Sequence, residues 1–484
     1  MKKAAPITKD SFKPLLLLAL TAFFLWLLSL IPAEVLHINS SLQLRKMNLF
    51  SSVETVAKFK PKKHFRIISG QDEPADFSNP GLFVREDSLW IDYSVSKERG
   101  IKTFFQKLAG PLKKKKIRVA YFGDSMIEGD LIVRDLRNLL QLKYGGMGVG
   151  MVPLTSPTAG FRQTIKHSFS PNWSEYNLLL KTNPIAPGIT GHVFIPQINE
   201  STDTLQKPGN ASWCTFFPVP SPLLNEFSKT SLLYGPTAKR NFVFVNAPSG
   251  PSKVVALSGN SVVNKLEIPA ELSKKGFTLT FATGEALPLY ALNFDSDSGI
   301  FVDNFSFRGN SGMPLTRIPF SHLNRVNEIE PYDLIILQYG LNAASASVSD
   351  YHWYETGLTQ MVNHLKKSFP DAAFLMITPG DKSMKENGEW ITDPGLIRVV
   401  ETEKKVAQKT DITFYNFFQA MGGQNSMVEW AESNPPKANK DYTHFNFRGA
   451  ALAGKMIFNA LEKAKKEYEA AEKIHSSISL PSLP

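Results

Sequence analysis

Ile117-Arg118-Val119-Ala120-Tyr121-Phe122-Gly123-Asp124-Ser125-Met126 is the stretch whose reading decides the fold. Ile117 to Phe122 is apolar and rich in residues that favour strands, so it reads as a buried strand. Gly123 ends it. Beyond the turn, Leu131, Ile132, Leu136, Leu139 and Leu140 recur at helical spacing. A strand, a tight turn and a helix place Ser125 at the carboxyl edge of a sheet, where open α/β folds build their sites. A serine there is exposed and near the positive end of a helix. The plainer alternative is that Asp124 and Ser125 only cap that helix. Partners further along the chain have to decide between the two.

The returning texture is also α/β. Asp333 to Tyr339 and Ala373 to Thr378 read as buried strands, and Ile412 to Tyr415 as a short one. Ile101–Leu108, Leu358–Phe369, Gly395–Lys409 and Arg448–Glu472 read as helices. Strands that alternate with helices imply a parallel sheet. Between about Ile165 and Ser298 the pattern differs. Short β runs such as 241–245, 253–257 and 276–281 stand between turn signals, which is the pattern of a β-sandwich. We read it as a domain inserted into the α/β domain. Trp173, Trp213, Phe216 and Phe217 are either its core or platforms for sugars. The run Tyr144 to Gly150 holds so many glycines that its backbone must pack closely on a neighbour or ligand. No lysine and Ser/Thr pair follows, so it is no phosphate-binding loop.

With 484 residues, 43% of them hydrophobic, the chain can bury more than one core. Its formal charge of +10 is scattered apart from Lys113 to Lys116, and no nucleic-acid-binding pattern accompanies it. That basic run reads as a solvated loop, with an anionic glycan or phospholipid as the sharper alternative. The single cysteine, Cys214, permits neither an internal disulfide nor a cysteine metal site. No His, Asp and Glu cluster has ligand spacing, so neither metal nor cofactor is expected.

Pro14 to Ile31 carries no charge and is long enough to cross a bilayer as a helix. Lys2, Lys3, Lys9 and Lys13 precede it against Asp10 alone. The expected layout is therefore a cytoplasmic tail (1–13), a transmembrane anchor (14–32) and a tether (33–95). The remainder divides into a leading α/β segment (96–165), the inserted sandwich (166–298), a returning α/β segment (299–472) that completes the same domain, and a tail (473–484). This puts the folded portion outside the cytoplasm, on the periplasmic side of an inner membrane. A cleavable signal peptide ending near Ala33 is the alternative.

Three further signals fall at element edges: Arg308-Gly309-Asn310-Ser311-Gly312, Gly340-Leu341-Asn342-Ala343 and Asp441-Tyr442-Thr443-His444. A serine hydroxyl needs a base to take its proton, and His444 has the right pKa range. Asp441, three residues earlier, can fix the imidazole tautomer and stabilise its cation. The N–H groups of Ser125 and Gly309 and the amide of Asn342 can stabilise an oxyanion. His352 and His167 are spare histidines without an aspartate at this spacing. The alternative is that all these residues have only local roles in loops and caps.

Gly123-Asp124-Ser125, Gly309, Asn342 and Asp441-x-x-His444 resemble the four blocks of the SGNH (GDSL-like) hydrolases. The resemblance implies a flavodoxin-like three-layer α/β/α fold with serine esterase chemistry. Ser125 is then nucleophile, His444 base, Asp441 its partner, and Gly309 and Asn342 complete the oxyanion hole. Gly129-Asp130, Leu136-Arg137, Leu140-Gln141, Tyr144-Gly145 and Gly148-Val149-Gly150 are similar to bacterial peptidoglycan O-acetylesterases, which carry an inserted carbohydrate-binding-like β-domain. Met126 and Ala343 depart from the residues usual beside the serine and the asparagine.

The function so implied is removal of O-acetyl groups from a cell-envelope polysaccharide through an acyl-serine. An O-acetyltransferase with the same triad, working beside an acyl-exporting membrane protein, is the second reading. A non-catalytic glycan-binding protein is the third.

Overall fold

The Ile117–Phe122 run lies inside a strand, Lys116–Gly123, that is buried from Ile117 onward. In this computed structural model it is the second strand of a six-stranded sheet. The order is Gly299–Ser306, Lys116–Gly123, Leu334–Gln338, Ala373–Ile377, Thr413–Tyr415, Trp90–Asp92. The first five are parallel and the edge strand Trp90–Asp92 is antiparallel. Numbered along the chain, the parallel strands stand 2-1-3-4-5, the flavodoxin-like order. The strand order reverses beside Lys116–Gly123, so a site is expected at its carboxyl end.

The structure describes residues 89–94, 100–110, 112, 115–198, 209–221 and 223–478, with the short segments 37–39 and 42–43. His37–Asn39 and Leu42–Gln43 pair as an antiparallel ribbon within the unit Met1–Asp76. The expected anchor at 14–32 lies outside the described residues, as does most of the tether. Among the described residues, no helix is long and apolar enough to cross a membrane.

The residues of Leu334–Gln338 and Ala373–Ile377 are buried throughout, so both faces of the sheet are covered. One helical group comprises Ile101–Leu108, Val133–Tyr144 and Phe447–Ile478; the other comprises Phe320–Ile329, His352–Ser368 and Pro394–Lys409. The terminal helix runs on to Ile478, beyond residue 473, where the sequence suggested a tail. The helix after Ser125 begins only at Val133. A short 3₁₀ turn, Glu128–Asp130, intervenes, with Gly129, Asp130 and Ile132 at positive φ. Ser125 is therefore not at a helix N-terminus, and Asp124 does not cap one.

The residues between 150 and 295 form two antiparallel sheets. The inner sheet runs Asn264–Ile268, Lys229–Tyr234, Leu289–Asp295, His192–Ile195, Ser174–Asn177, with Gly150–Val152 beside Leu289–Asp295. The outer sheet runs Ser252–Gly259, Thr237–Asn246, Phe277–Ala282, Trp213–Pro218, Ile165–Phe169. Phe216, Val243, Phe281, Leu232, Leu292 and Phe294 fill the space between them. Alternation then sends Val193, Leu233 and Ala291 of the inner sheet the other way, into the core of the α/β domain. The insertion shares a wall with that domain. Phe216 is wholly buried, and Trp173 packs edge-on against Phe281.

The glycine run makes this junction possible. A Cβ on Gly146 would sit 2.8 Å from the Ile300 carbonyl oxygen, and one on Gly148 would sit 2.1 Å from that of Phe294. Both have φ above +100°, a conformation side chains rarely adopt.

Candidate active site

Ser125 leaves the sheet in a turn held by its neighbours. Asp124 Oδ1 accepts the Met126 N–H at 3.0 Å, and the Ser125 carbonyl accepts the Glu128 N–H at 3.3 Å. Met126 and Ile127 are buried beneath, while Ser125 is half-buried and reachable. A Cβ on Gly123 would meet Ile127 at 2.8 Å, which is why the strand ends on glycine.

The Asp441–His444 loop reaches Ser125 from far along the chain. Phe445 anchors it in the core beside Trp430 and Phe417. The Tyr442 ring stacks on Trp390 at 4.0 Å, and the Tyr442 carbonyl accepts the Ser383 N–H at 2.9 Å. So fixed, His444 Nε2 stands 2.9 Å from Ser125 Oγ, and Nδ1 stands 2.9 Å from Asp441 Oδ2. Asp441 Oδ1 accepts the N–H groups of Thr443 and His444, each at 3.0 Å. Burial pushes the Asp441 carboxyl up, but the hydrogen bonds from the His444 and Thr443 N–H groups and from the imidazole outweigh this and hold it below its ordinary value. An ionised acceptor on Nδ1 leaves Nε2 free to accept the serine proton.

The other two motifs converge on the same edge. Strand Gly299–Ser306 pairs Ser306 with Gly123, and the Phe307 N–H bonds the Gly123 carbonyl at 3.0 Å. Gly309, at φ +74°, follows at the exposed rim. Gly340 ends the Leu334–Gln338 strand where a Cβ would meet Pro379, Glu403 and Val399 within 3 Å. Asn342 follows, and its Nδ2 donates to Asp124 Oδ2 and to the Asn310 carbonyl, each at 3.1 Å. Both Asn342 donors are therefore engaged. By contrast, no acceptor takes the N–H of Ser125 or Gly309 among the described residues.

Asp124 is wholly enclosed. Burial raises its carboxyl to about 6, against the lowering pull of the Met126 N–H, His444 and Asn342. It ties Ser125 to Asn342, a role the sequence reading did not give it. Its place inside the Gly123-Asp124-Ser125 block was the only signal. Asn310, whose carbonyl holds Asn342, was also missed. The spare histidines lie elsewhere. His167 stacks on Phe216 with Nε2 bonded to the Leu154 carbonyl, and burial pulls it down to about 4. His352 starts the helix His352–Ser368. Among the described residues, no group of His, Cys, Asp and Glu is placed to hold a metal ion.

No protein-family description and no curated protein matches the chain. Solved structures do. One described as a peptidoglycan O-acetylesterase in action is 21% identical, covers 78% of this chain and 100% of its own, and superposes with a TM-score of 0.62. A carbohydrate esterase family 2 enzyme with a carbohydrate-binding domain, from Corynascus thermopiles (Myceliophthora fergusii), is 13% identical, covers 55% of this chain and 97% of its own, with a TM-score of 0.24. The chain has the fold of that O-acetylesterase structure.

Proposed function

We propose that this protein is a serine esterase that removes O-acetyl groups from a glycan, with Ser125, His444 and Asp441 as its triad. The observation that carries this is the unbroken line from Ser125 Oγ to His444 Nε2 and from His444 Nδ1 to Asp441 Oδ2, each step 2.9 Å. The Ser125 oxygen attacks the ester carbonyl while Nε2 takes its proton. The N–H groups of Ser125 and Gly309 stabilise the oxyanion, and Asn342 joins them when one of its donors turns from Asp124 or Asn310. His444 returns the proton to the departing sugar oxygen. Water then attacks the acyl-serine, again through His444, and acetate leaves. We further propose that the 14–32 segment anchors the enzyme, with the catalytic domain outside the cytoplasm.

The likeness to an O-acetylesterase structure supports the choice of acetyl esters. The test is acetate release by the purified protein from acetylated peptidoglycan, acetyl xylan and 4-nitrophenyl acetate. Turnover on at least one, lost in Ser125→Ala, is expected. No release from any of them overturns the reading. Loss of free acetate when a glycan acceptor is added, with acetyl found on that acceptor, would make the protein a transferase.

A further inference from the structure

A cavity of about 250 Å³ opens where the insertion meets the α/β domain, and the triad chemistry does not use it. It adjoins the site along the chain. Its wall includes Glu128, whose N–H bonds the Ser125 carbonyl, and Arg308, the residue before Gly309. Its volume suits one sugar ring rather than a long ligand.

The carboxylates facing this cavity are all occupied. Asp130 holds Arg137 through two bonds of 2.8 and 2.9 Å and also accepts from Thr164. Glu175 accepts from His192 and Thr155. Glu128 accepts twice from Arg308. The cation Arg162 is less completely matched. Its side chain is only 9% exposed, and Nε donates to Thr164 at 3.0 Å. Its Nη2 is ion-paired with Asp130 Oδ2 at 3.5 Å, too long and poorly aligned for a good hydrogen bond, and Nη1 donates to no acceptor among the described residues. Two guanidiniums, Arg137 and Arg162, thus share one carboxylate. A buried charge with idle donors is costly unless something completes it. Asn304 adds the complementary group: its amide donates to the Ile127 carbonyl at 2.7 Å, and its Oδ1 is buried without a partner.

We infer that this cavity is a subsite for a carboxylate-bearing sugar of the glycan, its carboxylate taken by Arg162 and a sugar hydroxyl by Asn304 Oδ1. The inference rests on the esterase reading for its substrate, but not for its test. That test is calorimetric binding to the intact Ser125→Ala protein, which needs no turnover. The probes are peptide-free peptidoglycan strands and oligogalacturonides, each in the acid form and with its carboxylates converted to carboxamides.

A charge-assisted bond to a buried guanidinium should make the acid form bind about tenfold to a hundredfold more tightly. Adding Arg162→Gln should erase that preference, and Arg162→Lys should restore some of it. Equal affinity for acid and amide forms of both glycans overturns the inference. So does a preference that survives Arg162→Gln, since the carboxylate would then be read elsewhere. If Arg162→Gln does not fold, Arg162→Lys and the acid–amide comparison on Ser125→Ala still decide. An esterase with no acid preference leaves the catalytic reading standing. An acid preference in a protein without turnover leaves the subsite standing.

Discussion

The two ends of one strand, Lys116–Gly123, are built to opposite rules. Near its start, Arg118 is 2% exposed and fully paired. It meets Asp303 at 2.6 Å, Glu330 at 3.4 Å and also Asp295, and Asp303 accepts the Tyr332 hydroxyl at 2.6 Å. Asp295 belongs to the insertion's inner sheet and Asp303 to the neighbouring parallel strand, so Arg118 fastens the two bodies. Burial alone would lower the guanidinium's pKa, yet the three carboxylates hold it well above its ordinary value. Past the other end, Ser125, Gly309 and Asn342 lie open, with backbone donors unspent. The closed end holds the fold and the open end keeps hydrogen-bonding capacity unspent.

The largest effect that would break this contrast is at the open end. Ser125→Ala should lower turnover by about a millionfold, as loss of a triad nucleophile does, while the urea midpoint stays at the wild-type value. A large fall in that midpoint would show that Ser125 is structural. Asp441→Asn should cost about 10⁴-fold in turnover, because the amide favours the wrong imidazole tautomer. Acetate release under saturating substrate reads both.

At the closed end the sign reverses. Arg118→Ala leaves three carboxylates facing one another and should destabilise the protein by about 3–5 kcal/mol in urea unfolding, with turnover of the folded fraction retained. A variant as stable as wild type would show that the cluster contributes nothing to the fold. Asn342→Ala lies between the two in kind. It removes the brace on Asp124 and the proposed third oxyanion donor, and should lower turnover about 10²- to 10³-fold.

The contrast also explains what the sequence could say. The parallel strands were legible because burial on both faces leaves continuous apolar runs, as in Leu334–Gln338. The convergence of Ser125, His444 and Asp441 was legible because four short motifs, each ordinary for a turn on its own, occur together in one order at the ends of expected strands. The shared wall was not. Leu232 and Leu233 look alike in sequence, yet one faces the sandwich core and the other the α/β domain. The Arg118 cluster was hidden for a similar reason, since Asp295, Asp303 and Glu330 are far apart and no local spacing links them to one guanidinium. Trp90–Asp92 fell inside the expected tether because three residues carry too little periodicity to reveal an edge strand.

Asp124 sharpens the comparison because it is a closed group at the open end. Its folded pKa of about 6 lies above the ordinary 3.8. An acid raised in this way binds its proton more tightly in the folded state, so stability falls as pH climbs from about 4 to about 6, by at most about 3 kcal/mol, and stays low above that. Asp124→Asn cannot ionise and should lose this share of the slope, read as the urea midpoint against pH for both proteins. The same change replaces the acceptor facing Asn342 by an amide, so turnover should fall by about tenfold as Asn342 loses one of its two partners. If the slope between pH 4 and 6 survives in Asp124→Asn, the burial of this carboxylate is not what sets it. The other raised acids, Asp295, Asp381 and Glu403, would then be the groups that titrate.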